Sequence, residues 1–594
     1  MTPAYSRVLL TLALAIPVSL ATAADLMLAG GTLPVCTSLS QNQCRTTGNW
    51  RDDALEEIRF QVGQTRIEAW EHAAKQKLSP GQFALISRLL QVLSEELVTP
   101  LNASEFRDRF RQQLIEVDGR KISGEQLYGK MSDPAWYMLR DHFQLPPRSQ
   151  DGEQLREEVR LHDSSNSEAI EIFKRFVAIA RDRNGGEKPL ILVSTASSRD
   201  PYDALAFYRQ VFKQAGARTA WLPLDAAVRQ ARELEDCQNL SHYQAKVLGS
   251  YRREMMDPES YARQQAFCEA SHAGVEIIEQ ASGVFLNGGD QWLTFQALID
   301  TDGNETEELK AIRSRIADGK LILGGTSAGS AVQSTPAMVT NGSVPNSLLR
   351  GAFRHSPPPD PGCDLDNTCP EGLQANDLTW HQHGLSTFAQ GIVDTHFSER
   401  QRQFRLMRLL TDTGISHGIG IDETTAALVT LDSDNKGYSV ETIGAGSTWI
   451  IDVTEALVDE HAVYSIRNAR LFSIPAGHGW DTGSLDEDSG KESLNGEALS
   501  PCDTFDPGQS FHALIEALTD NAPERCFEVE LDNDKTATGR IRKLADSQTA
   551  KDAPRIYRMD LSVKADSVIL PAAPDREQQP DTAEGGTDES EQAE

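Results

Sequence analysis

"ILGGTSAGSAVQ", residues Ile322–Gln333, is the stretch on which the fold turns, because its character changes halfway. Ile322 and Leu323 read as the end of a buried strand, and the small residues from Ala328 onward read as the start of a helix. Ser327 stands at the centre of Gly325-Thr326-Ser327-Ala328-Gly329, a G-x-S-x-G pattern. There, small neighbours let a strand turn sharply into a helix and hold the hydroxyl out in a strained conformation. The same turn puts the N–H of Ala328 at a helix start, where it can donate to an oxyanion. Turns of small residues also serve packing alone, so Ser327 needs a base before it reads as a nucleophile.

Outward from this turn the chain alternates strand and helix patterns. "KPLILVSTASS" (Lys188–Ser198), the amphipathic "DPYDALAFYRQVFKQAGA", "RTAWLPL" and "GVFLNGGDQWLTFQAL" follow one another, with a polar helix before "KLILGG". This rhythm predicts an α/β fold built on an open, mainly parallel sheet with crossover helices. "DLMLAGGTLP" (Asp25–Pro34) predicts a first short strand ending in a Gly-Gly turn. At 594 residues the chain exceeds one ordinary domain. A catalytic domain is expected over 24–445, interrupted by a helical insertion at about 50–165 and a second, charged insertion at about 225–281. A β-rich C-terminal region is expected over 446–570, and an acidic disordered tail over 571–594.

A base for Ser327 is offered by "GIVDTHFSERQRQFRLMRLL", in which His396 follows an apolar strand end, on the edge where open α/β sheets build their sites. "HGIGIDETTAALV" places Asp422 and Glu423 at another strand end. Strand alternation sends the two side chains in opposite directions, so one of them can orient the imidazole, and the pattern leaves open which. The order Ser, His, acid departs from the Ser, acid, His of α/β-hydrolases. His381 and His383 form an HQH segment without a third ligand, so no metal site is predicted. Arg400, Arg402, Arg405 and Arg408 crowd a helix predicted to start near Ser398. The last three share a face, and their forked guanidinium groups suit carboxylates. Arg408 reads as an internal ion pair; Arg400 and Arg402, nearest the base, read as ligand-facing.

Charge and cysteines bound the setting. A formal net charge of −31 disfavours nucleic acid and anionic membrane as partners and favours a cationic or zwitterionic polymer. Residues 1–23 combine Arg7, an apolar run from Val8 to Leu20 and Ala21-Thr22-Ala23, the pattern of a cleaved export signal. The expected destination is therefore periplasmic or extracellular, with no membrane association after cleavage. Export suits disulfides among the eight cysteines. They fall as neighbours, Cys36 with Cys44, Cys237 with Cys268, Cys363 with Cys369 and Cys502 with Cys526, so sequential local pairing is the simplest expectation.

Taken in order, "NGGDQ" (Asn287–Gln291), "GGTSAGS", "DTHFSERQR" and "GIGIDE" resemble the motifs of the cyanophycinase family. These are serine peptidases with a flavodoxin-like or class I glutamine-amidotransferase-like sheet, related to aspartyl dipeptidase. The resemblance covers roughly residues 26–48 and 189–451. It implies Ser327 as nucleophile, His396 as general base and Glu423 as the acid behind it. It also implies a pocket shaped by Gln291, Asp394, Arg400, Arg402 and Arg405, with the turn around Gly289 as a candidate second oxyanion donor beside Ala328. The implied substrate is cyanophycin, a poly-aspartate whose side-chain carboxyls are amide-linked to arginine, cleaved to β-aspartyl-arginine without a cofactor. Thr395 stands where some relatives have glutamine, and the insertions and C-terminal region are additions. Activity on other aspartyl or isoaspartyl peptides, or a catalytically inactive binding protein on the same scaffold, are the alternatives. A homodimer is compatible with the sequence.

Overall fold

Strand β1 (Leu26–Ala29) shows how the sheet is filled: Leu26 and Leu28 enter one hydrophobic cluster, while Met27 and Ala29 enter another on the opposite face. A strand buried on both faces is what a central position in an α/β sheet requires. The computed structural model describes residues 24–46, 48–96, 99–117, 119–432, 437–459, 463–481, 504–505, 511–519, 521–531, 536–544 and 554–564. The expected export signal, the acidic tail and Cys502 lie outside the described residues.

Along the chain follow β2 (Leu190–Ser194), β3 (Arg218–Leu222), β4 (Gly283–Leu286) and β5 (Ile322–Thr326). With β1 they form a parallel run in the order β1-β5-β4-β2-β3. The fold is thus mixed α/β with a large sheet and many helices. On one face, helix Ser167–Arg183 lays Phe173 and Phe176 against Phe285 and Phe212. Gly324 makes this close approach possible, because a Cβ there would come within 2.5 Å of the Phe176 ring. Burying a Phe contributes roughly 1.5–3 kcal/mol. That exceeds the roughly 1 kcal/mol a strand glycine costs.

After β6 (Met338–Asn341) the chain builds a second sheet, beginning with β7 (Ile392–Thr395) and β8 (His417–Ile421), which pair in parallel. It then returns to the first sheet as β9 (Thr425–Leu431), antiparallel to β1, and β10 (Tyr438–Gly444), antiparallel to β9. It crosses back as β11 (Ser447–Asp452), which pairs with β8, and continues into the long β12 (Val463–Pro475). Strands Glu524–Glu530, Thr536–Lys543 and Arg555–Lys564 extend this sheet. It therefore runs across residue 445 without interruption, and its core holds Trp449, Leu471, Phe511, Phe527 and Tyr557 together.

Among the described residues of 64–143, five helices surround a cluster of their own that includes Phe60, Trp70, Phe106, Phe110 and Trp136. Capping boxes at Asn102/Glu105 and Ser123/Gln126 start two of these helices. Arg199 joins this region to the loop after β2 by gripping buried Asp141 with both Nη atoms, at 2.6 and 2.9 Å. Between described residues three disulfides close local loops: Cys36–Cys44, Cys237–Cys268 and Cys363–Cys369. Cys526 is also disulfide-bonded. Among the described residues no helix is long and apolar enough to cross a membrane.

Candidate active site

The carboxyl ends of β1, β4 and β5 lie side by side in the first sheet, and the carboxyl ends of β7 and β8 in the second are brought against them. Ser327 follows β5 with φ 52° and ψ −117°, a left-handed conformation that only strong local constraint holds in a non-glycine residue. Packing supplies the constraint. A Cβ on Gly325 would lie 2.1 Å from the Gly329 carbonyl, and one on Gly329 would lie 2.3 Å from that of Leu286. The Ser327 N–H donates to the Ala29 carbonyl at 2.9 Å, tying the turn to β1.

His396 follows β7, also with positive φ (50°), and its N–H donates to the Gly30 carbonyl at 2.8 Å. Its Nε2 lies 2.8 Å from Ser327 Oγ and its Nδ1 lies 2.6 Å from Glu423 Oε1. The structure thus brings Ser327, His396 and Glu423 into one hydrogen-bonded row. Burial lowers the His396 pKa below its ordinary value. The bond to Glu423 works against that shift, but Arg400 and Arg402 reinforce it. Burial would raise the Glu423 carboxyl, yet the His396 bond, a hydrogen bond from Thr32 and nearby Arg400 hold it below its usual range. At neutral pH the pair is therefore a neutral imidazole on a carboxylate, the state a general base needs.

Asp422 and Glu423 diverge, as alternation demands. Glu423 faces His396, while fully buried Asp422 accepts from the N–H groups of Ser398 (3.1 Å) and Ser447 (2.9 Å) and from Trp449 Nε1 (3.0 Å). The helix expected from Ser398 begins instead at Gln403. The reason lies in the backbone: Gln401 has φ 51°, and the Ser398 N–H is taken by Asp422. Residues 397–402 form turns that carry Arg400 and Arg402 beside the imidazole.

A cavity of about 180 Å3 opens in front of Ser327, lined by Gly289, Gln291, Ala328, Asp394, Arg400, Arg402 and Arg405 among others. Gln291 donates to the carbonyls of Val339 (2.8 Å) and Thr340 (3.1 Å) on β6. Gly289, at φ 147°, has no room for a side chain, because a Cβ would meet the Ser197 carbonyl at 2.2 Å. Buried Asp394 is held bidentately by Arg405, at 2.8 and 2.6 Å, and more loosely by Arg402 at 3.4 Å. Burial opposes its ionisation, but the two guanidinium groups outweigh burial and its pKa falls. Arg402 is itself pushed down to about 9 by burial and by Arg405, so it is still charged at neutral pH. Arg400 is exposed at the rim and has no ion pair among the described residues. Three cations thus face one committed carboxylate, and the cavity carries surplus positive charge inside an acidic protein. Arg408 points elsewhere and bonds Asp412 at 2.7 Å.

Several supporting residues carried little signal of their own. A Cβ on Gly31 (φ 114°) would lie 2.3 Å from His396 Cε1, so the Gly-Gly turn is the surface on which the imidazole rests. Asn287 shapes the turn after β4 through bonds to Ser197 N and Ser198 Oγ. The glycine pair and the NGGDQ motif mark both places in the sequence. No residue pattern pointed to Asp422 as a scaffold.

No protein-family model matches the chain. The chain is similar to proteins named cyanophycinase. It is 28% identical to that of Trichormus variabilis over 298 residues, 49% of this chain and 84% of the relative. It is 31% identical over 208 residues to that of Synechococcus elongatus, 34% of this chain and 52% of the relative. A solved structure described as a peptidase from an acI-B1 Actinobacterium aligns with a TM-score of 0.27 and 19% identity, over 47% of this chain and 84% of that one. The likeness read from the four motifs is borne out: the chain is cyanophycinase-like.

Proposed function

We propose that this cyanophycinase-like chain is an exported serine peptidase that hydrolyses the poly-aspartate backbone of cyanophycin and releases β-aspartyl-arginine. The observation that carries the reading is the hydrogen-bonded row Ser327–His396–Glu423 opening onto a cavity with surplus guanidinium charge. Ser327 Oγ attacks the aspartyl carbonyl carbon while His396 Nε2 takes its proton, and Glu423 keeps Nδ1 protonated and the ring in place. The oxyanion receives the Ala328 N–H and a donor from the turn at Gly289. His396 then passes its proton to the leaving amine as the C–N bond breaks, and water hydrolyses the acyl-enzyme by the same route in reverse. Gln291 and Asp394 shape the pocket by holding β6, Arg402 and Arg405, and the arginines meet substrate carboxylates through bidentate bonds. Substrate guanidinium groups suit the acidic surface. No cofactor enters the scheme.

The parallel run and its antiparallel edge suit a class I glutamine-amidotransferase-like core, with the catalytic residues drawn from 24–445 and the sheet that carries β7 and β8 continued by strands of the 446–570 region. Local disulfides suit an oxidising compartment. In the test, purified protein and its Ser327→Ala variant are incubated with insoluble cyanophycin and soluble products are followed by mass spectrometry. Dipeptide release by the unaltered chain alone is expected, with a loss on the order of 10^4-fold or more in the variant. Equal release by both removes Ser327 from the chemistry. Cleavage only of other aspartyl peptides moves the substrate to that class.

A further inference from the structure

Behind Glu423 lies a cluster that the scheme above leaves unused. Besides its three N–H donors, buried Asp422 faces His512, whose Nε2 lies 3.1 Å from Asp422 Oδ2. His512 belongs to helix Phe511–Glu516, far along the chain and packed through Phe511 against Trp449 and Phe404. Glu399, next to Arg400 on the catalytic turn, completes a triangle in which one side-chain polar atom from each of Glu399, Asp422 and His512 lies within 4.8 Å of the others. Two carboxylates this close repel each other unless a cation stands between them.

We infer that His512 is a positioning residue: as an imidazolium it holds Asp422 and Glu399 together and so sets the turn bearing His396, Arg400 and Arg402. The path is short. Asp422 grips the Ser398 N–H two residues past His396, and the Asp422 backbone leads directly into Glu423. The inference rests on the reading that His396 is the base.

The carboxylates facing His512 come from three elements: Asp422 from the end of β8, Glu399 from the turn and Glu516 from its own helix. The bond to Asp422 raises the His512 pKa above its ordinary value; burial opposes the shift, and Asp422, Glu399 and Glu516 add to it. His396 shifts the other way. Reactivity of Ser327 therefore rises with pH as His396 loses its proton, below the ordinary histidine value. It falls again, above that value, as His512 loses its charge.

The test measures the rate at which a fluorophosphonate labels Ser327 across this range in the full chain, in His512→Gln and in His512→Ala. Gln keeps a hydrogen-bond donor but carries no charge. The expected result is a bell-shaped profile for the unaltered chain. In the Gln variant the acid limb stays, the alkaline limb disappears, and the plateau drops on the order of three- to tenfold. An alkaline limb that persists in His512→Gln at an unchanged rate overturns the inference. Hydrogen exchange of the 396–402 amides decides it separately from the chemistry. Faster exchange in His512→Gln, with circular dichroism unchanged, supports the positioning role even if the serine never labels, an outcome that would sink the peptidase reading alone. Unchanged exchange sinks the positioning role.

Discussion

The two turns that meet at Ser327 and His396 are held by different forces. The serine turn is held by backbone sterics: Gly325 and Gly329 let carbonyls approach where any Cβ would collide, and the hydroxyl is presented by a chain that has no other path. The turn from His396 to Arg402 is held by charge and hydrogen bonds, with Asp394 drawing in Arg402 and Arg405 and Asp422 gripping the Ser398 N–H. Steric constraint is nearly independent of pH and salt. A turn anchored on buried carboxylates depends on their ionisation. One half of the site is therefore rigid by shape, and the other is adjustable by protonation.

The contrast breaks most sharply at Gly31, a steric element on the imidazole side. Gly31→Ala adds a Cβ into the His396 ring at a backbone angle alanine resists, so labelling of Ser327 by a serine-directed reagent should fall on the order of 100-fold. Labelling at the normal rate would mean the imidazole has room to move. Of comparable size, Asp394→Asn leaves Arg405 and Arg402 without their counter-charge in a buried place, and should cost about 3 kcal/mol in denaturant unfolding. The sign of its pH dependence follows from the depressed pKa. In the unaltered protein this contribution is present above the carboxyl's unfolded value and is lost as pH falls through the folded one, so the stability difference between the two proteins should shrink in acid. A constant difference across that window would place the effect in packing instead. Smallest is Arg400→Ala. Arg400 lines the cavity rim without an ion pair among the described residues, so KM should rise about tenfold with kcat nearly unchanged. A matching fall in kcat would instead assign Arg400 to the transition state.

The same division explains what could be read in advance. Apolar alternation and crossover spacing are local properties, so the parallel strands and the strand-to-helix turn at Ser327 were visible in the residues. Ser-Glu reads as a cap and predicts a helix start near Ser398, whereas in the fold the Ser398 N–H goes to Asp422, just past β8, and the helix begins at Gln403. The choice between Asp422 and Glu423 had the same limit: alternation separates the two side chains, but only the placement of β7 beside β8 decides which of them meets His396. His512 gives no sign at all, since its partner follows β8 in a distant part of the chain.

The sequence by itself determined the α/β class, the turn presenting Ser327 and the family likeness, and it made neighbour pairing the simplest expectation for the cysteines, which the three described disulfides follow. Each of these depends on residues close along the chain. For the carboxylate that faces the imidazole, residue patterns leave two candidates and the resemblance points to Glu423; tertiary structure alone decided which cations are neutralised and which remain free, and how the C-terminal region reaches the back of the site. Those outcomes depend on burial and on charges brought together across long sequence separations, which no local pattern encodes.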